Sequence, residues 1–323
     1  MKQVKFPAIL MAILAYACDD SIQPAATFEP KLVAYSVLST KSDTQWVRLY
    51  QSYDSPGNDA SLNPDEQAVQ NANVTITGGA QTYTFSYGSI PRPDTSRYKS
   101  NIGVYFAYPF RPASNTNYSL TIASSIGNAS ASIKIPGQGG ISCGTTAELS
   151  NPFTSRSIRA YFTLNNLARA WLIQFYVVYS SENPGELGVE KYHEVPLIDE
   201  VLNINFGIHR RVFPTVKTSP ASIKPAQFIT QSFDFEYPSY NESIYQIHHD
   251  NFNVHFKRAV FYLIQFDEPW YKYFASSNLR QDKLSHRVEP PHYTNILGGV
   301  GLFGSFHVDS VVVALPEFMF PYR

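Results

Sequence analysis

Short runs in which apolar and polar residues alternate constrain the fold of this chain more than any other feature. Tyr118, Leu120 and Ile122 alternate with serine and threonine, and the same period of two recurs at about seven places between residues 31 and 136. A period of two places one side of a β-strand in a core and the other side in water. The pattern therefore predicts about seven short strands in this part of the chain.

Seven alternating strands in one stretch are typical of a β-sandwich. Gly78-Gly79 separates two of the runs, as in a β-hairpin. We therefore expect an immunoglobulin-like or transthyretin-like sandwich over residues 28–136. Residues 137–152 are rich in Gly, Ser and Thr and lack periodicity, which predicts a linker between two domains.

A second β-rich domain with one helix is predicted over residues 153–323. The segment Trp171–Tyr179 is almost entirely apolar, which indicates a strand buried on both faces. Asp267 or Glu268 can cap a helix over about 268–283, where aromatic residues share one side. The expected fold class is thus mainly β, a sandwich followed by a β-rich domain that holds a single helix.

The N-terminus has the pattern of a secretion signal that ends at a cysteine. Lys2 and Lys5 precede the apolar run Phe6–Tyr16, which is too short to span a bilayer. Cys18 follows a small residue, and the arrangement resembles the lipobox of bacterial lipoproteins, in which the thiol receives a diacylglycerol. We expect a signal peptide over residues 1–17 and lipidation of Cys18.

Lipidation would make residues 18–27 a lipid-anchored tether and would leave Cys143 without a disulfide partner. The alternative is that Cys18 and Cys143 pair in an oxidising compartment. In the lipidated form the stability of the protein depends on its cores alone. The composition suits this, since 44% of the residues are hydrophobic and 15% are aromatic.

The charges of the chain nearly balance, with 25 Lys and Arg against 26 Asp and Glu. No basic stripe that could neutralise a row of phosphates is visible in the sequence. Proteins that bind nucleic acid usually have such a stripe, because phosphate contacts supply most of their affinity. We therefore do not expect nucleic acid as a partner.

Two glycine motifs match enzyme fingerprints without the context that the chemistry needs. Gly299–Gly304 matches G-x-G-x-x-G, which binds dinucleotides only where a helix follows. Here an apolar strand is predicted at Phe306–Leu315, so we expect a glycine turn over 298–304 and no cofactor. Gly140–Gly144 matches G-x-S-x-G but lies in the predicted linker instead of a strand–turn–helix elbow.

Histidines and aromatic residues provide the remaining candidate sites. His248, His249 and His255 are weak metal candidates, because no spacing places a third ligand beside them; polar surface histidines are the alternative. We expect no metal and no catalytic residue. Aromatic residues interleaved with polar ones can form a recognition surface, although they can equally pack a sandwich. The residues of this candidate contact surface are Phe233, Phe235, Tyr237, Tyr240 and Tyr245.

Three stretches of the chain resemble a known family in order and spacing. They are Lys31–Val33 followed by Trp46–Leu49, the segment from Tyr271 to Ile296, and the glycine block Gly298–Gly304. The family is an outer-membrane lipoprotein family of Bacteroidota, catalogued as domain of unknown function 4249. The resemblance covers nearly all of the chain after the signal, and the C-terminal block is its most specific part.

The resemblance implies a lipoprotein encoded beside TonB-dependent outer-membrane transporters, and it implies no catalytic residues. Asp19 and Asp20 resemble the acidic signal that displays such lipoproteins on the cell surface. We therefore expect a location at the outer membrane, on the cell surface or on its periplasmic face. The expected partners are the membrane, through the lipid anchor, and a transporter barrel.

The expected function is that of a non-enzymatic surface lipoprotein that binds a ligand or assists a TonB-dependent transporter. One alternative is a hydrolase of an extracellular polymer, although no carboxylate pair or triad stands at an interpretable spacing. The other alternative is a structural role in assembly of the envelope.

Overall fold

A computed structural model describes residues 28–53, 66–96, 98–143, 157–181, 185, 187–195, 215–216, 231–236, 254–278 and 293–314. Within these residues the protein is mainly β, as expected, with fifteen strands and one helix. The strands are β1 (Leu32–Ser39), β2 (Gln45–Gln51), β3 (Asn73–Gly78), β4 (Gln81–Ile90), β5 (Ile102–Ala107), β6 (Asn117–Ala123), β7 (Asn128–Lys134), β8 (Gly140–Cys143), β9 (Ser157–Thr163), β10 (Ala170–Ser181), β11 (Glu190–Val195), β12 (Thr215–Val216), β13 (Gln231–Glu236), β14 (Val254–Phe266) and β15 (Val300–Ala314), and the helix is α1 (Glu268–Asn278).

The first seven strands form the predicted sandwich. One layer contains β1, β2, β5 and the second half of β4, and the other contains the first half of β4 with β3, β6 and β7. Residues at alternate positions of both layers meet in one core, among them Leu49, Ile76 and Leu120. The hairpin predicted at Gly78-Gly79 joins β3 to β4, where Gly79 has a φ of 59°.

A parallel pair of strands that the sequence did not predict connects the two ends of the chain. The first half of β15 pairs with β1 from Val33↔Val300 to Ser39↔Phe306, and its second half pairs with β14 from Phe306 to Ala314. A single 12-stranded sheet results. The domain boundaries predicted at 28–136 and 153–323 stay a prediction, but residues 300–306 complete a sheet of the first sandwich.

A second core lies between β10, β14 and the end of β15 on one side and the three-stranded sheet β13-β9-β8 on the other. Phe175 and Phe261 stack in it with their centroids 4.3 Å apart. As predicted, β10 is buried on both faces, apart from Gln174 and Tyr176, which are half-buried. Residues 140–143, within the segment predicted as a linker, form β8 of the smaller sheet.

Helix α1 begins where the sequence predicts it and lies on one face of the large sheet, which we call the outer face. Its cap is Asp267, whose Oδ1 accepts a hydrogen bond from Trp270 N–H at 2.9 Å. Trp270 stacks on Phe266 with centroids 4.1 Å apart, and both pack beside Phe306. The described part of the helix ends at Asn278. No helix in the described ranges has the length and apolar character needed to cross a membrane.

Candidate functional site

Most of the site residues predicted from the sequence lie outside the described part of the chain, and they stay predictions. These residues are Cys18, Tyr237, Tyr240, Tyr245, His248 and His249. The backbone of β13 carries Phe233 and Phe235 opposite Ala160 and Ile158 of β9. His255 lies half-buried in β14. Within the described ranges, no three His, Cys, Asp or Glu side chains stand close enough to hold a metal ion.

The glycine block is part of a strand, because β15 begins at Val300 and not at Phe306 as predicted. Gly301 has a φ of +125°, and a Cβ atom there would lie 2.0 Å from the carbonyl oxygen of Ala34. A residue without a side chain is therefore required where β15 approaches β1. The segment after the motif is strand, whereas the dinucleotide fingerprint places the pyrophosphate at a helix N-terminus.

Three tyrosines from separate elements meet on the outer face. Tyr35 of β1 stacks on Tyr50 of β2 with centroids 6.1 Å apart, and the edge of Tyr273 from α1 contacts Tyr35 at 5.7 Å. The hydroxyl of Tyr273 donates to that of Tyr35 at 3.3 Å. Burial raises the pKa of all three phenols, for Tyr273 to about 12, so the cluster is neutral at physiological pH.

A charged group lies beside these rings. The guanidinium of Arg48 is 5.5 Å from the centroid of Tyr50 and donates to Glu66 Oε1 at 2.6 Å from Nη2. Glu66 is almost fully buried and also accepts from Arg92. Two guanidinium groups thus share this carboxylate, so the three groups together carry one positive charge. The exposed fraction of the Arg48 side chain is 39%, so this charge is available to a binding partner.

Trp46 and Phe106 extend the cluster toward the N-terminal end of β2. They form a register pair between β2 and β5, their centroids are 5.7 Å apart, and 44% and 36% of their surfaces are exposed. We call Tyr35, Trp46, Arg48, Tyr50, Phe106 and Tyr273 the aromatic face. Large rings with polar tips on a rigid sheet are typical of recognition surfaces.

The sequence carried a signal for part of this surface that the pattern analysis missed. Trp46, Arg48 and Tyr50 alternate with the buried residues Val47 and Leu49, so they occupy the outward positions of β2. Two large aromatic residues at outward positions of one strand are unusual, because such positions normally carry polar side chains. The contribution of Tyr273 could not be found in this way, since it depends on how α1 packs.

A second polar cluster lies on the inner side of β15, between the two cores. Asp309 Oδ2 accepts hydrogen bonds from Gly139 N–H at 3.0 Å and from Gln265 Nε2 at 2.8 Å. His307 Nε2 lies 3.2 Å from Asp309 Oδ1, and His307 Nδ1 lies 2.9 Å from Thr40 Oγ1. We call these five residues the polar junction. It joins β1, β14, β15 and the segment before β8.

A hydroxyl, an imidazole and a carboxylate are also the groups of a hydrolytic triad, but the geometry of the polar junction differs. In a triad the hydroxyl bonds to Nε2 and the carboxylate to Nδ1, whereas the two ring nitrogens of His307 have exchanged partners. Thr40 Oγ1 also receives the N–H of Val308 at 3.4 Å. These contacts fit a structural role, in which separate segments satisfy one buried carboxylate.

Comparison with known proteins gives one finding about the family. A search of the curated proteins finds no match. The family model described as "Domain of unknown function (DUF4249)" matches residues 19–311. That range runs from the residue after Cys18 to Val311, within the strand that joins the two cores, and it includes the aromatic face and the polar junction. The chain therefore belongs to the DUF4249 family.

Proposed function

We propose that this protein is a lipid-anchored, non-enzymatic protein of the outer membrane that assists a TonB-dependent transporter or binds a ligand for it. The signal-like segment 1–17 before Cys18 supports the anchor. The resemblance to outer-membrane lipoproteins supports the location, and Asp19 and Asp20 support display on the cell surface. A protein held at a membrane acts most readily on partners that reside there.

The aromatic face is the observation that carries the binding role. Its rings come from three neighbouring strands of one sheet, β1, β2 and β5, and from α1, so the surface is rigid before any partner arrives. Rigid aromatic residues lose little conformational entropy on binding, which favours affinity. The excess positive charge at Arg48 and the exposed rings of Trp46 and Phe106 suit a partner that offers both apolar area and an acidic or carbonyl group.

Purification of the tagged protein from its native host in mild detergent tests the proposal. We expect a large barrel protein in stoichiometric amount, identified by mass spectrometry. The double variant Trp46→Ala/Phe106→Ala should recover much less of it, because truncation of central aromatic residues typically costs more than about 2 kcal/mol of binding free energy.

The matched control is Val312→Ala, which also truncates an apolar side chain on the outer face, 57% exposed but distant from the aromatic face. It should recover the barrel as the wild type does. Recovery of the wild-type protein alone, together with normal growth of the deletion strain, would contradict the transporter role and favour a structural one. If the control variant loses as much of the barrel protein as the double variant does, the aromatic face is not the contact surface. The predicted contact residues Phe233–Tyr245 can be tested in the same assay.

A hydrolase of extracellular polymers is the second candidate, because a hydroxyl, an imidazole and a carboxylate stand together at Thr40, His307 and Asp309, although the two ring nitrogens have the partners opposite to those of a triad. Turnover of a panel of esters and glycosides by wild type, lost in Thr40→Ala and in His307→Ala while the melting temperature is kept, would establish this function. Absence of turnover in the wild type would leave the polar junction as a structural feature.

A further inference from the structure

We propose that one end of the first sandwich rests on the membrane surface, with Leu297, Ile90 and Phe28 at the boundary between lipid headgroups and acyl chains. This inference rests on the proposed lipid anchor at Cys18. We call this part of the molecule the tether end, because the chain enters the sandwich there.

The register of the strands brings these three residues to the same end. β1 begins at Leu32, four residues after Phe28, and β15 runs parallel to β1 from Val300, three residues after Leu297. β2 pairs antiparallel with β1, and β5 pairs antiparallel with β2. The last residue of β4, Ile90, pairs with Ile102 at the start of β5. The tether end is therefore the end of the sandwich at which β1, β5 and β15 begin.

Leu297 is held outward by a rigid backbone. It exchanges two main-chain hydrogen bonds with Ser130, from Leu297 N–H at 2.8 Å and to Leu297 C=O at 2.9 Å. The next residue, Gly298, has a φ of +79°, and a Cβ there would lie 2.2 Å from the carbonyl oxygen of Asn128. The turn is thus constrained on both sides, yet 73% of the Leu297 side chain surface is exposed. Phe28 and Ile90 are exposed at the same end.

The tether enters the sandwich at this end, so this end meets the bilayer with the least extension of the chain. The segment from Asp19 to Thr27 can span at most about 30 Å when fully extended. The strands of the sandwich add roughly 25 Å between the tether end and the end that carries Trp46. The opposite end would meet the bilayer only with the tether almost fully extended, whereas the apolar side chains at the tether end need no such extension. Contact there leaves Trp46 and Phe106, at the opposite end, free for a partner.

The charges at the tether end indicate which forces would act there. Among the described residues, Lys31 and Lys99 are exposed at this end, and so are Glu29 and Asp94, so these basic and acidic groups cancel. Contact by apolar burial alone should respond weakly to salt, unlike the electrostatic attraction of a polybasic patch. The occupant is thus a lipid surface of either zwitterionic or anionic composition.

Depth-dependent fluorescence quenching tests the contact. The lipidated protein, as Leu297→Trp, is reconstituted in phosphatidylcholine vesicles whose acyl chains are brominated near the headgroup. Interfacial side chains lie about 5–10 Å into the boundary region, so we expect roughly half of the added tryptophan fluorescence to be lost. Salt at 0.5 M should change the loss little. The fluorescence of the wild-type protein in the same vesicles is subtracted, because Trp46, Trp171 and Trp270 also contribute to the signal.

The matched control is Val312→Trp in β15, the strand that follows Leu297; Val312 is 57% exposed and about 40 Å further from the tether end. Its added fluorescence should not be quenched. Equal quenching at both positions, or none at position 297 in protein that floats with the vesicles, would overturn the proposed contact and leave the anchor standing.

A second experiment tests this contact without the lipid anchor at Cys18. A chain that begins at Asp19, with an N-terminal histidine tag in place of Cys18, is bound to vesicles that contain nickel-chelating lipid. Quenching at position 297 in this arrangement, while protein purified from cells fails to float, would refute acylation of Cys18 and support the contact surface. Absence of quenching in this arrangement would refute the contact surface.

Discussion

Asp267 is a carboxyl group whose burial raises its pKa from 3.8 to about 7, although hydrogen bonds from Trp270 N–H and the Ser305 hydroxyl partly oppose the shift. Its folded-state pKa lies above that of the unfolded chain, so the folded state binds the proton more tightly. The resulting stability is fully present below about pH 3.8 and is lost as the pH rises through about 7.

Asp267→Asn should remove this pH dependence. Asparagine is neutral at every pH, and its side-chain oxygen can still cap α1. We expect the unfolding free energy of the variant to exceed that of the wild type at pH 8 by up to several kcal/mol, at about 1.4 kcal/mol per pH unit, and the variant to melt at a higher temperature. Both differences should shrink toward pH 4. Melting temperatures from pH 4 to pH 8 measure it. Glu268→Gln, half-exposed beside Asp267, serves as the control. The ion pair with Lys272 lowers the pKa of Glu268, so this variant should gain no stability at high pH.

Gly301 is the residue at which a side chain is least tolerable, since both its φ and the contact with Ala34 exclude a Cβ atom. Gly301→Val should lower the unfolding free energy by at least about 1–3 kcal/mol. Gly140→Ala is the control, because its Cβ would meet only Thr163 at an ordinary 3.5 Å. Thermal melts with and without NAD or FAD complete the test; a melting temperature raised by a dinucleotide would contradict a purely structural glycine block.

At the scale of elements, β15 does more than close the second core. Its inner side contributes Phe303 to the first core and Val311 to the second, and the polar junction occupies the positions between them. The hydrogen bonds of Asp309 tie this strand to β14 and to Gly139. One strand thus couples two cores through a buried carboxylate.

Asp309→Leu should destabilise the protein because it leaves the Gly139 N–H and the Gln265 amide without an acceptor, at about 1–3 kcal/mol for each group. The double variant Gln265→Leu/Asp309→Leu should lose less than the sum of the two single losses, as denaturant titrations would measure. Ser310→Ala, at an exposed position of the same strand, should stay within about 0.5 kcal/mol of wild type. Additive losses would show that Gln265 and Asp309 act independently.

At the scale of the whole molecule, the proposed anchor at Cys18 would decide where the protein acts. Cys18→Ala should move the protein from the membrane to the soluble fraction and abolish incorporation of labelled palmitate, because each acyl CH₂ contributes about 0.8 kcal/mol to membrane binding. The variant Cys143→Ala is the matched control and should remain at the membrane with its label. Failure of the wild type to take up label would refute the anchor.

Local sequence patterns were sufficient for the fold class and for the strands of the first sandwich. Alternation of residues such as Leu120 and Ile122 with threonine assigns each side chain to a face without knowledge of the partner strand. The start of α1 was equally local, since Asp267 caps the helix within one turn. These features depend on neighbours only a few residues apart.

Only the tertiary structure decided which strands meet. The pairing of Val33 with Val300 joins residues from opposite ends of the chain, and no period in either segment specifies it. The polar junction between Thr40 and His307 follows from that pairing, as does the contact of Tyr273 with Tyr35. A sequence pattern reports which face of a strand is apolar, whereas the partner depends on the free energy of packing distant segments, which local spacing does not contain.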